Sequence, residues 1–175
     1  MIRTVIFALI TLMIVGCSTF QAQPDRVGYY RLEARLLTPG VPLFPESIVA
    51  VTVPDTVDHK KLALPEGPPV VISDFDRWVE PFGKGVERVL DLNVRALLGS
   101  NAEESVACSV NILEARLENG ALEVWLDYHW IEETGVVKGA FSSTTFVSDT
   151  GPVATAEAWS KVLELVAQEL VNARR

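Results

Sequence analysis

The chain has 175 residues, with 15 Lys and Arg against 23 Asp and Glu, which gives a formal net charge of −8. This acidic balance lacks the basic surface that nucleic acids require, so we exclude a nucleic-acid partner. It also disfavours binding to an acidic membrane by charge, so any membrane attachment must depend on a lipid. The length is sufficient for one domain with its own core.

Residues 1–16 are predicted to be a secretory signal peptide that ends in a lipobox. One cation, Arg3, precedes an apolar run from Val5 to Val15, which is too short to cross a bilayer as a helix. Gly16 and Cys17 follow, and this ending resembles the bacterial lipobox, in which the thiol after the cut receives a diacylglycerol. We therefore predict Cys17 as the lipid attachment residue, carrying palmitate or a similar acyl chain. The alternative is an ordinary signal peptide, or an uncut anchor, with a chance cysteine.

Residues 17–27 are predicted to be the lipidated cysteine and its tether, because Thr19 to Val27 is short, polar and contains Pro24. A serine after the cysteine, here Ser18, generally directs bacterial lipoproteins to the outer membrane. We therefore expect a chain anchored by lipid to the periplasmic side of the outer membrane, with a single domain over residues 28–175.

The first part of the domain alternates strands with proline-rich loops, since proline removes backbone donors and fixes the backbone. A loop that runs into a short strand is predicted over residues 55–64. Other strands are predicted over Tyr29–Leu37, Ser47–Val53 and Val70–Ser73.

The first long helix is predicted from about Val79 to Leu98. Asp76 is its predicted N-cap, Glu80 lies in its first turn, and Gly99 is its predicted C-terminal glycine.

The second part is predicted to be three strands followed by a helix. The strands cover Val106–Leu117, Leu122–Ile131 and Val136–Val147, and the helix covers Ala154–Asn172. Asn119-Gly120 favours a two-residue hairpin turn, and Cys108 falls in an apolar alternation that predicts a buried thiol. The expected fold class is α+β: one mixed or antiparallel sheet with two long helices packed on one face, in a single domain.

The sequence shows no recognisable catalytic, cofactor or metal motif, so we expect a protein that is not an enzyme. The two histidines have no neighbouring cysteine or histidine, and no nucleophile motif or phosphate-binding loop is present. The loop that contains Asp55, Asp58, His59 and Lys60 is interpreted in two ways, as a solvated loop of mixed charge or as a partner contact. Trp125 lies on the more polar face of its strand and is the best candidate for an exposed contact aromatic.

Several stretches together resemble the PqiC family, the auxiliary lipoproteins of mammalian-cell-entry (MCE) type intermembrane transporters of the ABC class. They are Tyr29-Tyr30-Arg31-Leu32, Val51-Thr52-Val53-Pro54-Asp55, and Asp74-Phe75-Asp76-Arg77-Trp78-Val79-Glu80-Pro81-Phe82. The Arg-Trp-x-Glu-Pro piece is the most specific of them. After Asp55 this chain departs from the family pattern, with Thr56-Val57-Asp58-His59.

The resemblance implies a non-enzymatic accessory subunit that contacts an MCE-domain protein, assists lipid transport between membranes and so supports membrane integrity. If that partner is a symmetric ring or tube, a homo-oligomer of this chain is also expected. The alternative is an outer-membrane lipoprotein that regulates a peptidoglycan synthase or helps to insert lipopolysaccharide. A periplasmic hydrolase is a third class, but it would need a nucleophile–base pair that the sequence does not show.

Overall fold

The computed structural model describes residues 27–36, 47–55, 58, 60–64, 71–99, 107–132, 135–147, 149 and 151–174. Within these ranges the chain forms seven strands and two helices. The strands are β1 (Gly28–Tyr30), β2 (Val49–Thr52), β3 (Lys61–Leu64), β4 (Val71–Trp78), β5 (Ala107–Glu118), β6 (Ala121–Glu132) and β7 (Gly135–Phe146), and the helices are α1 (Phe82–Leu98) and α2 (Pro152–Ala173). The predicted signal peptide, Cys17 and most of the predicted tether lie outside the described residues.

The larger sheet contains four strands in the order β2-β5-β6-β7, with β2 parallel to β5 and the other pairs antiparallel. Asn119 (φ 51°) and Gly120 (φ 72°) join β5 to β6 with positive φ at both positions. This is the geometry of the predicted hairpin turn, which is confirmed.

One face of the larger sheet forms the core, because side chains alternate across each strand. In β6 the apolar positions predicted to share a face are all buried: Leu122, Val124, Leu126, Tyr128 and Trp130. In β5 the register shifts between Ile112 and Glu114, so Leu113 is an extra residue whose side chain is 52% exposed. Before the bulge, the buried residues of β5 have even numbers: Cys108, Val110 and Ile112. After the bulge, the buried residue is Leu117, because the extra residue reverses the alternation.

The smaller sheet has three strands in the order β1-β4-β3, with β1 parallel and β3 antiparallel to β4. The prediction of a single sheet is therefore wrong, since the short N-terminal strands divide between two sheets. Of the strand predicted over Tyr29–Leu37, the part that the structure describes, up to residue 36, pairs within Gly28–Tyr30 and not beyond it. The α+β class and the single domain are confirmed.

The boundary between β4 and α1 differs from the prediction. β4 continues to Trp78, so Asp76 is a strand residue that pairs with Gly28 and not the N-cap of the helix. Helix α1 follows Pro81 with no side-chain cap from that residue, and Glu80 precedes the helix instead of lying in its first turn. Gly99 does end α1, with φ 61°.

Helix α2 joins the two sheets, because it contacts strands of both and also packs against α1. Phe82 of α1 lies edge-on to Trp159 of α2, with ring centroids 4.7 Å apart. At the other end of α2 the buried Trp130 indole donates to the Leu170 carbonyl at 3.0 Å. Among the described residues, we find no helix with both the length and the apolar character needed to cross a membrane.

Candidate functional site

The loop that the sequence proposed as a partner contact folds against the start of α1. The Asp58 carboxylate accepts a hydrogen bond from the Gly83 amide at 2.8 Å, so Asp58 supplies the helix cap that Asp76 was predicted to provide. The Lys60 carbonyl accepts from the Trp78 amide at 2.8 Å, which attaches the loop to β4. Asp55 and Lys60 are exposed, and His59 lies outside the described residues.

Trp125 lies on β6 of the larger sheet, whereas the described part of that loop packs against α1 and β4. It pairs with Glu114 on β5 and Ser142 on β7 and is half-buried on the face away from the helices. The Arg116 guanidinium stacks over the indole at 5.1 Å and forms an ion pair with Glu114 at 2.7 Å, and this bond raises the pKa of Arg116. The contacts found for Trp125 are thus with β5 and β7, those found for Asp58 and Lys60 are with α1 and β4, and the roles of all three as partner contacts stay predictions.

The Arg-Trp-x-Glu-Pro stretch forms the joint between β4, α1 and the segment after β1. Trp78 is buried and its ring lies 5.3 Å from that of Phe82. Glu80 accepts from Arg88 at 2.6 Å, and Arg88 also donates to the Leu32 carbonyl at 2.8 Å. The hollow beside this joint has no room for a water molecule, so we assign no ligand to it.

A polar network lies where the pairing of β4 with β3 is irregular, and we call this irregularity the bend in β4. Ser73 donates to the Asp76 carboxylate at 2.6 Å, and its hydroxyl oxygen accepts from the Phe75 and Asp76 amides at 3.2 and 3.0 Å. Residues 73–76 of β4 have no partner on β3. The pairing of the two strands stops after Lys61 with Arg77 and continues with Ala63 and Ile72. Burial and a hydrogen bond to Asp76 raise the pKa of Tyr30, which completes the network from β1.

Gly28 lies beside this network, and a side chain at this position would require the ends of the Tyr30 and Asp76 side chains to shift. A Cβ at this position would lie 2.7 Å from the Tyr30 hydroxyl and 2.8 Å from an Asp76 carboxylate oxygen. The predicted capping role for Asp76 concealed this network, since a carboxylate shortly before an apolar helix is typical of a cap.

Three exposed apolar side chains surround the bend, and we call them the Tyr29–Phe75–Val79 patch. Their exposed fractions are 66% for Tyr29, 64% for Phe75 and 59% for Val79. Tyr29 pairs with Arg77, which lies between the other two in sequence, and the Val79 amide donates to the Tyr30 carbonyl at 2.8 Å. The sequence did not identify this patch, because apolar residues in short strands are more often buried.

The described residues contain no group of three or more His, Cys, Asp or Glu side chains that could hold a metal ion. Cys108 is buried, as predicted, and desolvation raises its pKa to about 12. The two adjacent glutamates of the β6–β7 turn form no described carboxylate pair, because Glu132 is in an ion pair with Arg174 at the end of α2 and Glu133 lies outside the described residues.

No family model and no curated protein matches the sequence. Solved structures do share the fold. One is the crystal structure of an uncharacterized protein, with a TM-score of 0.66 and 15% identity, covering 85% of this chain and 99% of the other. Another is protein XCC0632 from Xanthomonas campestris, assigned to the family model DUF330, with a TM-score of 0.58 and 19% identity, covering 82% of this chain and 92% of the other. At these identities the similarity establishes a shared fold.

Proposed function

We propose that this chain is a lipoprotein of the PqiC family, anchored in the outer membrane and facing the periplasm, that acts as a non-enzymatic accessory subunit of an MCE-type intermembrane lipid transporter. The observation that carries this proposal is the structural similarity to a DUF330 protein, over nearly the whole length of that protein. DUF330 denotes the PqiC family, which is the family that the sequence motifs resemble. Fold and motifs are separate observations, and they point to the same family.

The position of the most specific motif supports the proposal. Trp78, Glu80 and Phe82 make the contacts that connect the smaller sheet to both helices. The stretch in which the sequence most specifically resembles the family is thus also the stretch that makes these contacts.

The anchor is tested by the mass of the protein recovered from membranes. If Cys17 is acylated, the mature chain begins at Cys17 and carries the added mass of diacylglycerol, and the protein fractionates with the outer membrane. The Cys17→Ala variant is the matched control and should lose both the modification and the membrane association. An unmodified Cys17 in the membrane-bound protein would refute the anchored part of the proposal.

The partner is tested by a crosslinked pull-down from membranes with a tag at the C-terminus. Recovery of an MCE-domain protein is the expected result. Asp55→Lys and Lys60→Glu should reduce it if the loop is the contact, whereas Asp58 is unsuitable for this test because it caps α1. Recovery of a peptidoglycan synthase or a lipopolysaccharide-inserting barrel would exclude the transport function and leave the lipoprotein assignment intact.

A further inference from the structure

We propose that the Tyr29–Phe75–Val79 patch docks on the surface of the phospholipid bilayer to which the anchor ties the chain. This inference rests on the proposed lipid anchor, and it concerns how the domain is oriented on the membrane. The occupant of the patch is the interfacial region of the bilayer, where headgroups meet acyl chains.

The length of chain between the anchor and the domain restricts which side of the domain faces the membrane. Gly28 follows Cys17 by 11 residues, which even when fully extended span at most about 40 Å. A compact domain of about 150 residues is itself about 40 Å across. A chain that ran round the domain to reach β1 on the far side would need to be longer than this. The start of β1 therefore cannot lie on the side of the domain that faces away from the bilayer, and the surface around β1 stays within reach of the membrane.

The chemistry of the patch suits that position. Tyr side chains are favoured at membrane interfaces because the ring is apolar and the hydroxyl remains hydrated. Tyr29, Phe75 and Val79 each expose more than half of their side chain in the isolated chain, at 66%, 64% and 59%. Phe75 is also held outward by the Ser73 hydroxyl, which binds the Phe75 and Asp76 amides, so its exposure is built into the fold.

The charges around the patch permit an approach to phospholipid although the whole chain is acidic. Arg77 lies between Phe75 and Val79, and Lys61 pairs with Arg77 across the strands. The acidic neighbour Asp74 is neutralised by Lys61 at 2.6 Å, and this ion pair lowers the pKa of Asp74. Docking is therefore driven by apolar insertion and should depend little on salt. Because the anchor keeps the patch at a high effective concentration near the bilayer, weak intrinsic affinity is sufficient.

The test is hydroxyl-radical footprinting of the mature chain, residues 17–175, coupled through Cys17 to a maleimide phospholipid in phosphatidylcholine vesicles. The buried Cys108, with its pKa raised to about 12, does not compete for the maleimide. The reference is the same chain coupled to a water-soluble maleimide. Oxidation of Tyr29 and Phe75 should fall severalfold on vesicles and remain low in high salt. Phe146, 86% exposed on the larger sheet, should keep its rate and serves as the internal control.

A variant separates docking from mere proximity to the vesicle. Phe75→Ser should restore the oxidation of Tyr29 on vesicles, whereas the matched Phe146→Ser should not. Unchanged oxidation of Tyr29 and Phe75, or equal protection of all three aromatic residues, would overturn the proposal. Protection that requires a protein partner instead of the bilayer would overturn it as well. Since the coupling supplies the anchor chemically, these results are independent of acylation in the cell, which the mass of the native protein reports separately.

Discussion

Cys108 shows how one buried residue can be assigned by its surroundings. Its side chain is 2% exposed in β5, opposite Trp130, within the cluster that the helices cover. A thiolate in this environment would lose its hydration without a compensating cation, so burial raises the pKa of the thiol from 9.0 to about 12. The residue therefore acts as a small apolar group in the core, and catalysis by this thiol is disfavoured at neutral pH.

We predict that Cys108 makes the stability of the fold fall in alkaline solution. Its contribution is fully present below the unfolded pKa near 9 and is lost as the pH rises towards the folded value of about 12, because only the unfolded chain releases the proton in this window. Urea titrations between pH 8 and 11 should show a smaller decline for Cys108→Ala than for the parent chain. A thiol reagent at pH 8 should modify Cys108 only after denaturant is added. Rapid modification of the native protein would contradict the buried assignment.

The elements differ in how far the sequence could predict them. In β6 every second residue is apolar, so period 2 alone identified the strand and its buried face. The end of β4 was missed because Asp76 has the sequence context of a helix cap, whereas the actual cap, Asp58, is 25 residues away in the chain. The bulge at Leu113 was missed for a similar reason, since only the partner strand β6 defines which residue is extra.

The cap on α1 gives a prediction at this scale. Asp58→Ala should lower the free energy of unfolding by about 1 kcal/mol, the usual cost of losing an N-cap carboxylate. The physical reason is that the Gly83 amide, now bonded at 2.8 Å, would lose its partner. Asp55→Ala removes an exposed carboxylate from the same loop and is the matched control, with little expected change. Equal stability of the two variants in urea titrations would show that Asp58 does not cap the helix.

The candidate site was less predictable than the fold, because exposure is a property of the whole molecule. Tyr29 and Phe75 resemble ordinary strand residues in sequence, and in the folded chain both are exposed, Tyr29 on the three-residue β1 and Phe75 beside Ser73 in β4. Conversely, Asp58 was a candidate contact residue in the sequence, but in the structure its carboxylate accepts a hydrogen bond from the Gly83 amide of α1. The functional expectations came instead from the resemblance of residues 14–17 to a lipobox and of residues 74–82 to a family motif, which depend on the order of residues and not on exposure.

A buried ion pair between Asp91 and Arg95 connects helix α1 to the larger sheet. The Asp91 carboxylate of α1 accepts from the Ile48 and Val49 amides at 2.7 and 3.2 Å, and it also binds Arg95 at 2.8 Å. The Arg95 side chain is only 4% exposed. Asp91 thus binds both the buried Arg95 cation and the backbone amides at the start of β2. Asp91→Ala should therefore lower the free energy of unfolding by about 3 kcal/mol, the lower end of the range for breaking a buried ion pair.

Replacement of a half-buried acid on the same helix, whose lysine partner is exposed, is the control for this experiment. Glu87 pairs with Lys84 at 3.3 Å, and the Lys84 side chain is 69% exposed, so Glu87→Ala should cost less than about 0.5 kcal/mol. Because α1 packs against both β2 of the larger sheet and helix α2, the loss at Asp91 should lower the midpoint of a single cooperative transition without changing its slope. Two separate transitions, or a loss of unfolding free energy equal to that of Glu87→Ala, would mean that the Asp91–Arg95 pair does not couple α1 to the larger sheet. Arg95→Met together with Asp91→Ala should recover part of the loss, since the buried cation that Asp91 binds is then replaced by an apolar side chain.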